Sequence, residues 1–372
     1  MNGLPNIKVL MTADAVGGVW TYAAGLSSAL TAMGADVYLV TIGPAASLEQ
    51  RRMLSPSVHV IESDLALEWQ DPDATDLAHA RDVLMAIEQQ IQPDIVHLNS
   101  YREANFPWHA PVLVVAHSCV NSWGNACQDN AWLSEPKWQR YSGLVACGLD
   151  RAAAWVAPTH AFGAMVSELY QPRGRGITIL NGTEPSLEKP GEKQCFILAA
   201  GRMWDAAKNL AMLGQAGSDL DWPVFVAGGI AAPAEMPRCR ITFLGELSHF
   251  ELRRHMRVAA IFASPARYEP FGLSVLEAAQ AGCALVLSDI PTFRELWEGA
   301  AVFVSSSDCN GLRAALSDLC ADTRERAKLQ RAAFRRARRY SMKKMAYAYA
   351  RLYRSLFSLH PHQPHSAVGA YA

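Results

Sequence analysis

Short apolar runs alternate with amphipathic stretches along most of this 372-residue chain. The first apolar run, 7–12, ends at a turn that contains Gly17 and Gly18, and apolar residues at helical spacing follow as far as Gly34. The next apolar run, 37–42, completes a strand–helix–strand unit within about 36 residues. Such a unit places its two strands side by side in parallel, so the sequence predicts a parallel α/β sheet.

This alternation occurs in two series, separated by a polar, proline-containing segment at 183–194. The predicted strands of the first series are 7–12, 37–42, 58–61, 95–98, 112–116 and 155–157. Those of the second series are 195–200, 224–227, 241–244, 260–263, 284–287 and 301–304. The sequence therefore predicts two Rossmann-like α/β domains, 1–182 and 183–340, with ligands bound in the cleft between them.

Composition excludes several other classes of protein. Half of the residues are hydrophobic and 19% are charged, which argues against wholesale disorder or a fibre. The net charge of −1 argues against a globally basic nucleic-acid binder. The eight cysteines show no paired or zinc-type spacing, and no stretch has the features of a signal peptide or a membrane span. We therefore expect a cytoplasmic protein that requires no metal and no cofactor.

The nearly neutral net charge conceals an uneven distribution of charged residues along the chain. Segment 324–354 has twelve basic residues and one acidic residue, a net charge of +11, whereas the rest of the chain has a net charge of −12. A solvated helical face is the ordinary explanation of such a segment. The alternative hypothesis is peripheral contact with an anionic membrane, at its inner face, or with an anionic acceptor.

The most informative motif is the run from Tyr268 to Ala278, YEPFGLSVLEA, which follows a predicted strand and enters a predicted helix. Pro270 favours an extended conformation at Glu269 and so keeps this carboxylate in the loop. The backbone N–H groups of Gly272, Leu273 and Ser274 are free at the helix start, where a diphosphate can bind. Glu277 lies about one turn into the helix. An ordinary loop with a solvated glutamate is the alternative.

At these residues the chain resembles the retaining nucleotide-sugar glycosyltransferases of family 4, which have the GT-B fold. Further segments match the pattern of that family in the same order. They are GRMWDAAKN at 201–209, DAVGGVWTY at 14–22, AHS at 116–118, APT at 157–159 and ILNG at 179–182. The resemblance implies a GT-B fold with two Rossmann-like domains facing across a cleft. It also implies that helix 341–358 crosses back onto the first domain, before a tail at 359–372.

The resemblance further implies a role for each matching donor-site residue. Arg202 and Lys208 would contact the donor diphosphate, Glu269 the sugar and Glu277 the ribose. For the two basic residues, surface ion pairs are the alternative. Fixed cations near the diphosphate would stabilise the charge that grows on the leaving group.

The backbone of the glycine loops completes the implied donor site. Phe271, Gly272, Leu273 and Ser274 belong to the donor-binding set, and the backbone of the last three would hold phosphate. From the first domain, Gly17 and Gly18 would approach the donor, although a plain tight turn explains them equally well.

His117 would lie near the donor sugar and the reacting centre. A satisfied core histidine is the alternative at this position, which ends an apolar strand. With Glu269, Arg202 and Lys208, His117 forms the predicted catalytic set.

The resulting hypothesis is transfer of a sugar from a nucleotide-sugar donor, preferably a UDP-sugar, to a hydroxyl acceptor. GDP- and ADP-sugars stay open, as does a small-molecule, glycan or lipid-linked acceptor. In this family retention is usually assigned to a front-face route that needs no dedicated base. The alternatives are a catalytically silent sugar-nucleotide binding protein, a nucleotide-sugar epimerase and a sugar phosphorylase.

Two further features concern metal and acceptor. The D-x-D spacing at 71–73 marks a divalent cation in other glycosyltransferases, but here it lies in a proline-containing stretch before a helix, and we interpret it as a turn. Trp123, Trp132 and Asn125 lie in the long stretch 120–138, which we interpret as a loop. Aromatic faces beside amides suit a carbohydrate acceptor, and core packing is the alternative.

Overall fold

The computed structural model describes residues 7–127, 130–174, 176–184, 190–229 and 241–359, which form two parallel sheets flanked by helices. The first sheet has seven strands: β1 (Lys8–Asp14), β2 (Asp36–Ile42), β3 (His59–Glu62), β4 (Ile95–Leu98), β5 (Val112–Val115), β6 (Ala154–Ala157) and β7 (Ile177–Thr178). Their order is β3-β2-β1-β4-β5-β6-β7, and every pairing is parallel. The predicted parallel α/β sheet is confirmed.

The second sheet repeats this arrangement. Its strands are β8 (Gln194–Ala200), β9 (Val224–Ala227), β10 (Ile241–Gly245), β11 (Ala259–Ser264), β12 (Ala284–Ser288) and β13 (Val302–Val304). Their order is β10-β9-β8-β11-β12-β13, again all parallel. In both sheets the chain order reverses beside the first strand, which opens a ligand crevice at the carboxyl ends of the strands.

Helices cover both faces of each sheet. Those of the first domain are α1 (Gly18–Ala32), α2 (Leu48–Arg52), α3 (Leu77–Ile91), α4 (Val120–Cys127), α5 (Pro136–Arg151) and α6 (His160–Tyr170). Those that follow are α7 (Leu210–Gly217), α8 (His249–Val258), α9 (Leu273–Gln280), α10 (Pro291–Trp297), α11 (Cys309–Ala321), α12 (Thr323–Ala337) and α13 (Met342–Leu359). Strands β4 and β5 are buried at every residue, as expected for strands covered on both faces.

The structure differs from the sequence prediction in the stretch 120–138. The prediction of a loop there is wrong, because α4 and a 3-10 turn at Ala131–Ser134 occupy most of it. Asn121 and Asn125 lower the helix propensity of α4, while Ser122 and Cys127 give it a buried side. Most of the predicted tail, 360–372, lies outside the described residues, as do 185–189 of the linker.

Helix α13 packs on the first domain, although it follows the last helix of the second in sequence. Its buried residues belong to the same apolar cluster as strands β1, β2 and β4 and helix α1. The hydroxyl of Tyr353 hydrogen-bonds to Nδ1 of the buried His97 at 2.6 Å. Gly25 of α1 leaves space for Met342, whose Cε lies 2.3 Å from the position that a Cβ at Gly25 would take.

The chain crosses between the domains twice, and the two crossings lie side by side. Thr183 and Ser341 form a parallel bridge, and the N–H of Met342 donates to the Thr183 carbonyl at 3.0 Å. A Cβ at Gly182 would lie 2.4 Å from the Ser341 carbonyl oxygen, so only glycine fits there.

Replacing Tyr353 by alanine tests how strongly α13 supports the first domain. We expect Tyr353→Ala to lower the free energy of unfolding by about 3 kcal/mol or more, because a buried ring and its hydrogen bond are lost. Tyr347→Ala, on the exposed side of the same helix, is the matched control and should change it by less than about 0.5 kcal/mol. Chemical denaturation followed by circular dichroism measures both, and equal losses would contradict this role of α13.

Candidate active site

The glycine loop after β1 lies directly against the first loop of the second domain. Gly17 has a φ of +78°, and a Cβ there would lie 3.5 Å from Nη1 of Arg202. A Cβ at Gly18, the first residue of α1, would lie 3.7 Å from Cδ1 of Leu273. The structure therefore brings both predicted glycines to the loops that carry Arg202 and Leu273, and a side chain at Gly17 would be strained by its positive φ.

Arg202 follows β8 and is loosely held. Its Nη2 donates to Oδ2 of Asp205 at 3.3 Å, and its guanidinium lies 5.4 Å from the ring centre of Trp204. The Arg202 side chain is 41% exposed, whereas that of Asp205 is 7% exposed. A cation that is partly solvated and weakly paired can turn towards an anionic ligand at small cost.

Lys208 forms a closer ion pair. Its Nζ donates to Oε2 of Glu269 at 2.6 Å, and both side chains are largely buried. The hydroxyl of Thr292 donates to the carbonyl of Glu269 at 2.6 Å and fixes the backbone of this loop. The structure thus brings together the predicted cation of one loop and the predicted carboxylate of another, 61 residues apart.

Glu277 has a separate partner. Nε2 of His249, at the start of α8, donates to Oε1 of Glu277 at 2.7 Å, and the carboxylate side chain is 7% exposed. Because Glu269 and Glu277 contact different basic groups, each carboxylate can accept hydrogen bonds from a different part of a ligand.

The start of α9 exposes backbone donors between these two carboxylates. Gly272 caps the helix with a φ of +84°, and no side chain accepts from the first N–H groups of α9. Leu273 and Ser274 therefore present N–H groups suited to an anion. Phe271 is buried and packs against Tyr340, so its side chain supports the loop from the core.

His117 lies two residues after β5, on the other side of the cleft. The Nδ2 group of Asn99 donates a hydrogen bond to the carbonyl of Thr12 at 2.5 Å, which fixes the orientation of the amide. The Oδ1 atom of Asn99 therefore faces His117 and accepts a hydrogen bond from its Nε2–H at 2.7 Å. The ring packs edge-on against Tyr22. Burial lowers the pKa of His117 to about 3, so the imidazole is neutral at physiological pH, with its proton on Nε2 and a lone pair on Nδ1.

Asp14 adds a carboxyl group to the cleft at the end of β1. Burial raises its pKa to about 6, although a hydrogen bond from the N–H of Val16 and the positive charge of Arg202 act in the opposite direction. Ionisation of this carboxyl group therefore costs folding free energy, which the hydrogen bond from Val16 and the charge of Arg202 do not fully offset.

The predicted acceptor residues lie at one end of the cleft. The Trp123 and Trp132 rings are 6.2 Å apart, and Asn125 is exposed and accepts a hydrogen bond from Asn130. The indole N–H of Trp123 donates to Oδ1 of Asp205 in the other domain at 2.8 Å. An aromatic face thus borders the loop that carries Arg202 and Asp205.

Asp71 of the D-x-D segment has a local role. Its carboxylate accepts hydrogen bonds from Thr75, from the N–H of Asp76 and from the buried Arg102. Despite the opposing effect of burial, these hydrogen bonds lower the pKa of Asp71 to about 2. Within the part of the chain that the structure describes, no group of three or more histidine, cysteine, aspartate or glutamate side chains could hold a metal ion.

Four contributors to the site were not singled out from the sequence: Asp14, Asn99, Asp205 and His249. Asp14 and Asn99 follow β1 and β4, so their places at the carboxyl ends of strands were a usable signal. His249 and Asp205 act through partners 28 and 82 residues away, which no local pattern indicates.

Comparison with known proteins agrees with this geometry. The family model described as Glycosyltransferase Family 4 matches residues 16–187, and the model described as Glycosyl transferases group 1 matches residues 194–322. The chain belongs to glycosyltransferase family 4. The predicted family and the GT-B fold are therefore confirmed.

Known relatives of this glycosyltransferase are distant in sequence and similar in structure. A glycogen synthase from Mycobacterium tuberculosis is 24% identical over 86% of each chain. Sucrose-phosphate synthase from Thermosynechococcus elongatus superposes with a TM-score of 0.80 at 18% identity, over 95% of this chain and 100% of that one. HepE from Anabaena, solved with UDP-glucose, has a TM-score of 0.72 at 15% identity, over 94% and 100% of the respective chains.

The raised pKa of Asp14 predicts a pH-dependent gain in stability on its neutralisation. An ionised Asp14 disfavours the folded state by the full amount above about pH 6. The penalty fades as pH falls from 6 and is lost below 3.8, where the carboxyl group becomes protonated in both states. We expect Asp14→Asn to raise the melting temperature at pH 7.5, and by only about a third as much at pH 4.5, which lies between the two pKa values. Differential scanning fluorimetry across this range measures the effect, and a gain of equal size at both pH values would contradict the assignment.

Proposed function

We propose that this glycosyltransferase is a retaining enzyme that transfers a sugar from a nucleotide-sugar donor, preferably a UDP-sugar, to a hydroxyl group of a glycan or another polyhydroxylated acceptor. The observation that carries the proposal is the convergence of Arg202, Lys208, Glu269 and Glu277 on the uncapped start of α9. Relatives crystallised with UDP or UDP-glucose have the same fold and support the choice of donor.

Each part of the donor matches one part of this arrangement. The diphosphate lies between Arg202, Lys208 and the N–H groups of Leu273 and Ser274, which supply positive charge and hydrogen bonds. Glu277 accepts hydrogen bonds from the ribose hydroxyls.

Glu269 accepts hydrogen bonds from the donor sugar. Its pairing with Lys208 holds the carboxylate in place before the donor arrives.

The chemistry then follows from where charge develops. As the bond between the sugar and the diphosphate breaks, negative charge grows on the departing phosphate oxygen, and Arg202 and Lys208 stabilise it. On the same face of the sugar, the acceptor hydroxyl attacks the anomeric carbon and gives its proton to that phosphate oxygen, so the configuration is retained. No separate base is needed.

His117 acts in this scheme as a neutral hydrogen-bonding group. With a pKa of about 3 it does not carry the positive charge needed of an imidazolium acid. Its Nε2 proton is engaged by Asn99, which leaves Nδ1 as an acceptor for a hydroxyl of the donor sugar. The two cations, Arg202 and Lys208, supply the charge that a divalent ion provides elsewhere, so we propose that no metal is required.

Turnover of the donor tests the proposal. Thermal shift with UDP-, GDP- and ADP-sugars first identifies the nucleotide, because a bound donor stabilises only the folded protein. We expect Arg202→Ala and Lys208→Ala each to reduce donor hydrolysis or transfer by about 10²-fold or more while the protein stays folded.

Arg294→Ala and Lys328→Ala are the matched controls. Arg294 is also 41% exposed and pairs with an aspartate, and both controls remove a cation from the surface of the second domain. Unchanged turnover in both site variants would contradict the site. Donor binding without any turnover would favour the alternative of a catalytically silent sugar-nucleotide binding protein.

We also propose that the basic helices bring the enzyme to an anionic lipid surface at the cytoplasmic side of a membrane. Five exposed cations form one stripe on α12 and its C-cap, at successive spacings of four and three residues: Arg324, Lys328, Arg331, Arg335 and Arg338. The stripe is about 21 Å long. The opposite side of α12 is buried through Leu329, Ala333 and Ala337.

Exposed aromatic residues accompany the cations. Phe334 lies beside the stripe and is 37% exposed, and on α13 Tyr347 is 43% exposed, with Nζ of Lys343 at 6.0 Å from its ring centre. Aromatic side chains favour the headgroup region, and the cations attract anionic lipid. No helix among the described residues is long and apolar enough to span a membrane.

Vesicle flotation tests the lipid contact. At low ionic strength we expect the protein to float with phosphatidylglycerol-containing vesicles and not with pure phosphatidylcholine, and to dissociate at high salt. A variant with Arg331, Arg335 and Arg338 changed to alanine should bind at least about tenfold more weakly. The control removes three exposed arginines of the first domain, Arg81, Arg140 and Arg173. No flotation of the wild type, or equal losses in both variants, would contradict the proposal.

A further inference from the structure

Helix α4 of the first domain contacts two loops of the second domain, the one that carries Arg202 and the one that carries Glu269. The indole N–H of Trp123 donates to Oδ1 of Asp205 at 2.8 Å, beside Arg202. The adjacent Ser122 hydroxyl lies 2.7 Å from the hydroxyl of Tyr268, the residue before Glu269. Two consecutive residues of one helix thus hold the loop of the donor-site cation and the loop of the donor-site carboxylate.

The carboxylate of Asp205 is the junction of these contacts. It accepts three hydrogen bonds: from Trp123, from the N–H of Ala207 at 2.9 Å, and from Nη2 of Arg202 at 3.3 Å. Its side chain is 7% exposed, so water cannot readily replace a lost donor. A buried carboxylate that loses one hydrogen-bond donor forms stronger hydrogen bonds with the donors that remain.

Of the remaining donors, Arg202 is the one that can respond. The N–H of Ala207 belongs to the turn that Asp205 caps, whereas the Arg202 guanidinium is partly exposed and at the longest distance of the three. The position of Arg202 therefore depends on whether Trp123 donates its hydrogen bond to the Asp205 carboxylate.

We propose that Trp123 is a positioning residue that orients Arg202 for the donor diphosphate through Asp205, and so links the acceptor domain to the donor site. With the indole N–H present, Asp205 is satisfied and Arg202 is released towards the cleft. Without it, Asp205 binds Arg202 more tightly and competes with the diphosphate. This inference rests on the proposed function, because it assigns Arg202 to the donor.

A double-mutant cycle on nucleotide affinity tests the inference. UDP, GDP and ADP are titrated calorimetrically into the wild type, and the tightest binder is then titrated into Trp123→Phe, Arg202→Ala and the double variant. We expect Trp123→Phe to weaken binding about fivefold in the wild-type background, the effect of one hydrogen bond. In the Arg202→Ala background it should have no further effect, because the group through which it acts is gone.

Trp155→Phe is the matched control. It removes an indole N–H that donates to the Gly174 carbonyl at 2.9 Å, a hydrogen bond that lies wholly within the first domain. We expect it to lower the melting temperature and to leave nucleotide affinity unchanged, which separates positioning from general loss of stability.

The possible results separate the inference from the proposed function. Equal weakening by Trp123→Phe with and without Arg202 would overturn the inference, as would no weakening at all in a protein whose wild type binds the nucleotide. If Arg202→Ala binds as tightly as the wild type, or if no nucleotide binds the wild type, the proposed donor site fails and the inference fails with it.

Discussion

Parallel strand pairing is the constraint from which the rest of this structure follows. In a parallel sheet every strand ends at the same edge, so all loops that follow strands collect there. This chain has two such edges, and they face each other. Gly17 and His117 reach the cleft from one edge, and Arg202 and Glu269 reach it from the other, although the chain between them is long.

Two carboxylates of the cleft have basic hydrogen-bonding partners before any ligand binds. Glu269 accepts a hydrogen bond from Lys208 and Glu277 accepts one from His249, each at a short distance, and both carboxylates are largely buried. An unpaired charge at these depths would be strongly unfavourable. A ligand with both hydroxyl and phosphate groups can replace these partners one by one, so that neither carboxylate is left buried without a hydrogen-bond donor.

The parts of the site that local sequence could indicate are those marked by local backbone chemistry. Arg202 follows a glycine and Glu269 precedes a proline in loops after strands, Lys208 lies six residues after Arg202, and Glu277 follows Glu269 by eight residues. These patterns can be recognised in a single sequence. Strand β7, with only two residues, is too short to show periodicity, and the asparagines of α4 mask its helical pattern.

The partners of these residues were beyond prediction for a physical reason. Asp205 and His249 matter because of hydrogen bonds to residues distant in sequence, and these bonds depend on how elements of tertiary structure meet. Trp123 shows the difference most clearly. Its aromatic character suggested a carbohydrate face, but its bond to the other domain exists only once both sheets are assembled.

The place of α13 in the first domain has a consequence for how the protein is made. The ribosome releases the chain from its N-terminus, and domains generally fold as they emerge. Here the first domain lacks Tyr349, Tyr353 and Leu356 of its core until α13 has been synthesised, after the whole of the second domain. The second domain, which contains its own core within 194–340, can therefore be complete before the first. Until α13 docks, the nascent first domain exposes an apolar face to the surrounding medium, and its maturation is tied to the synthesis of this helix.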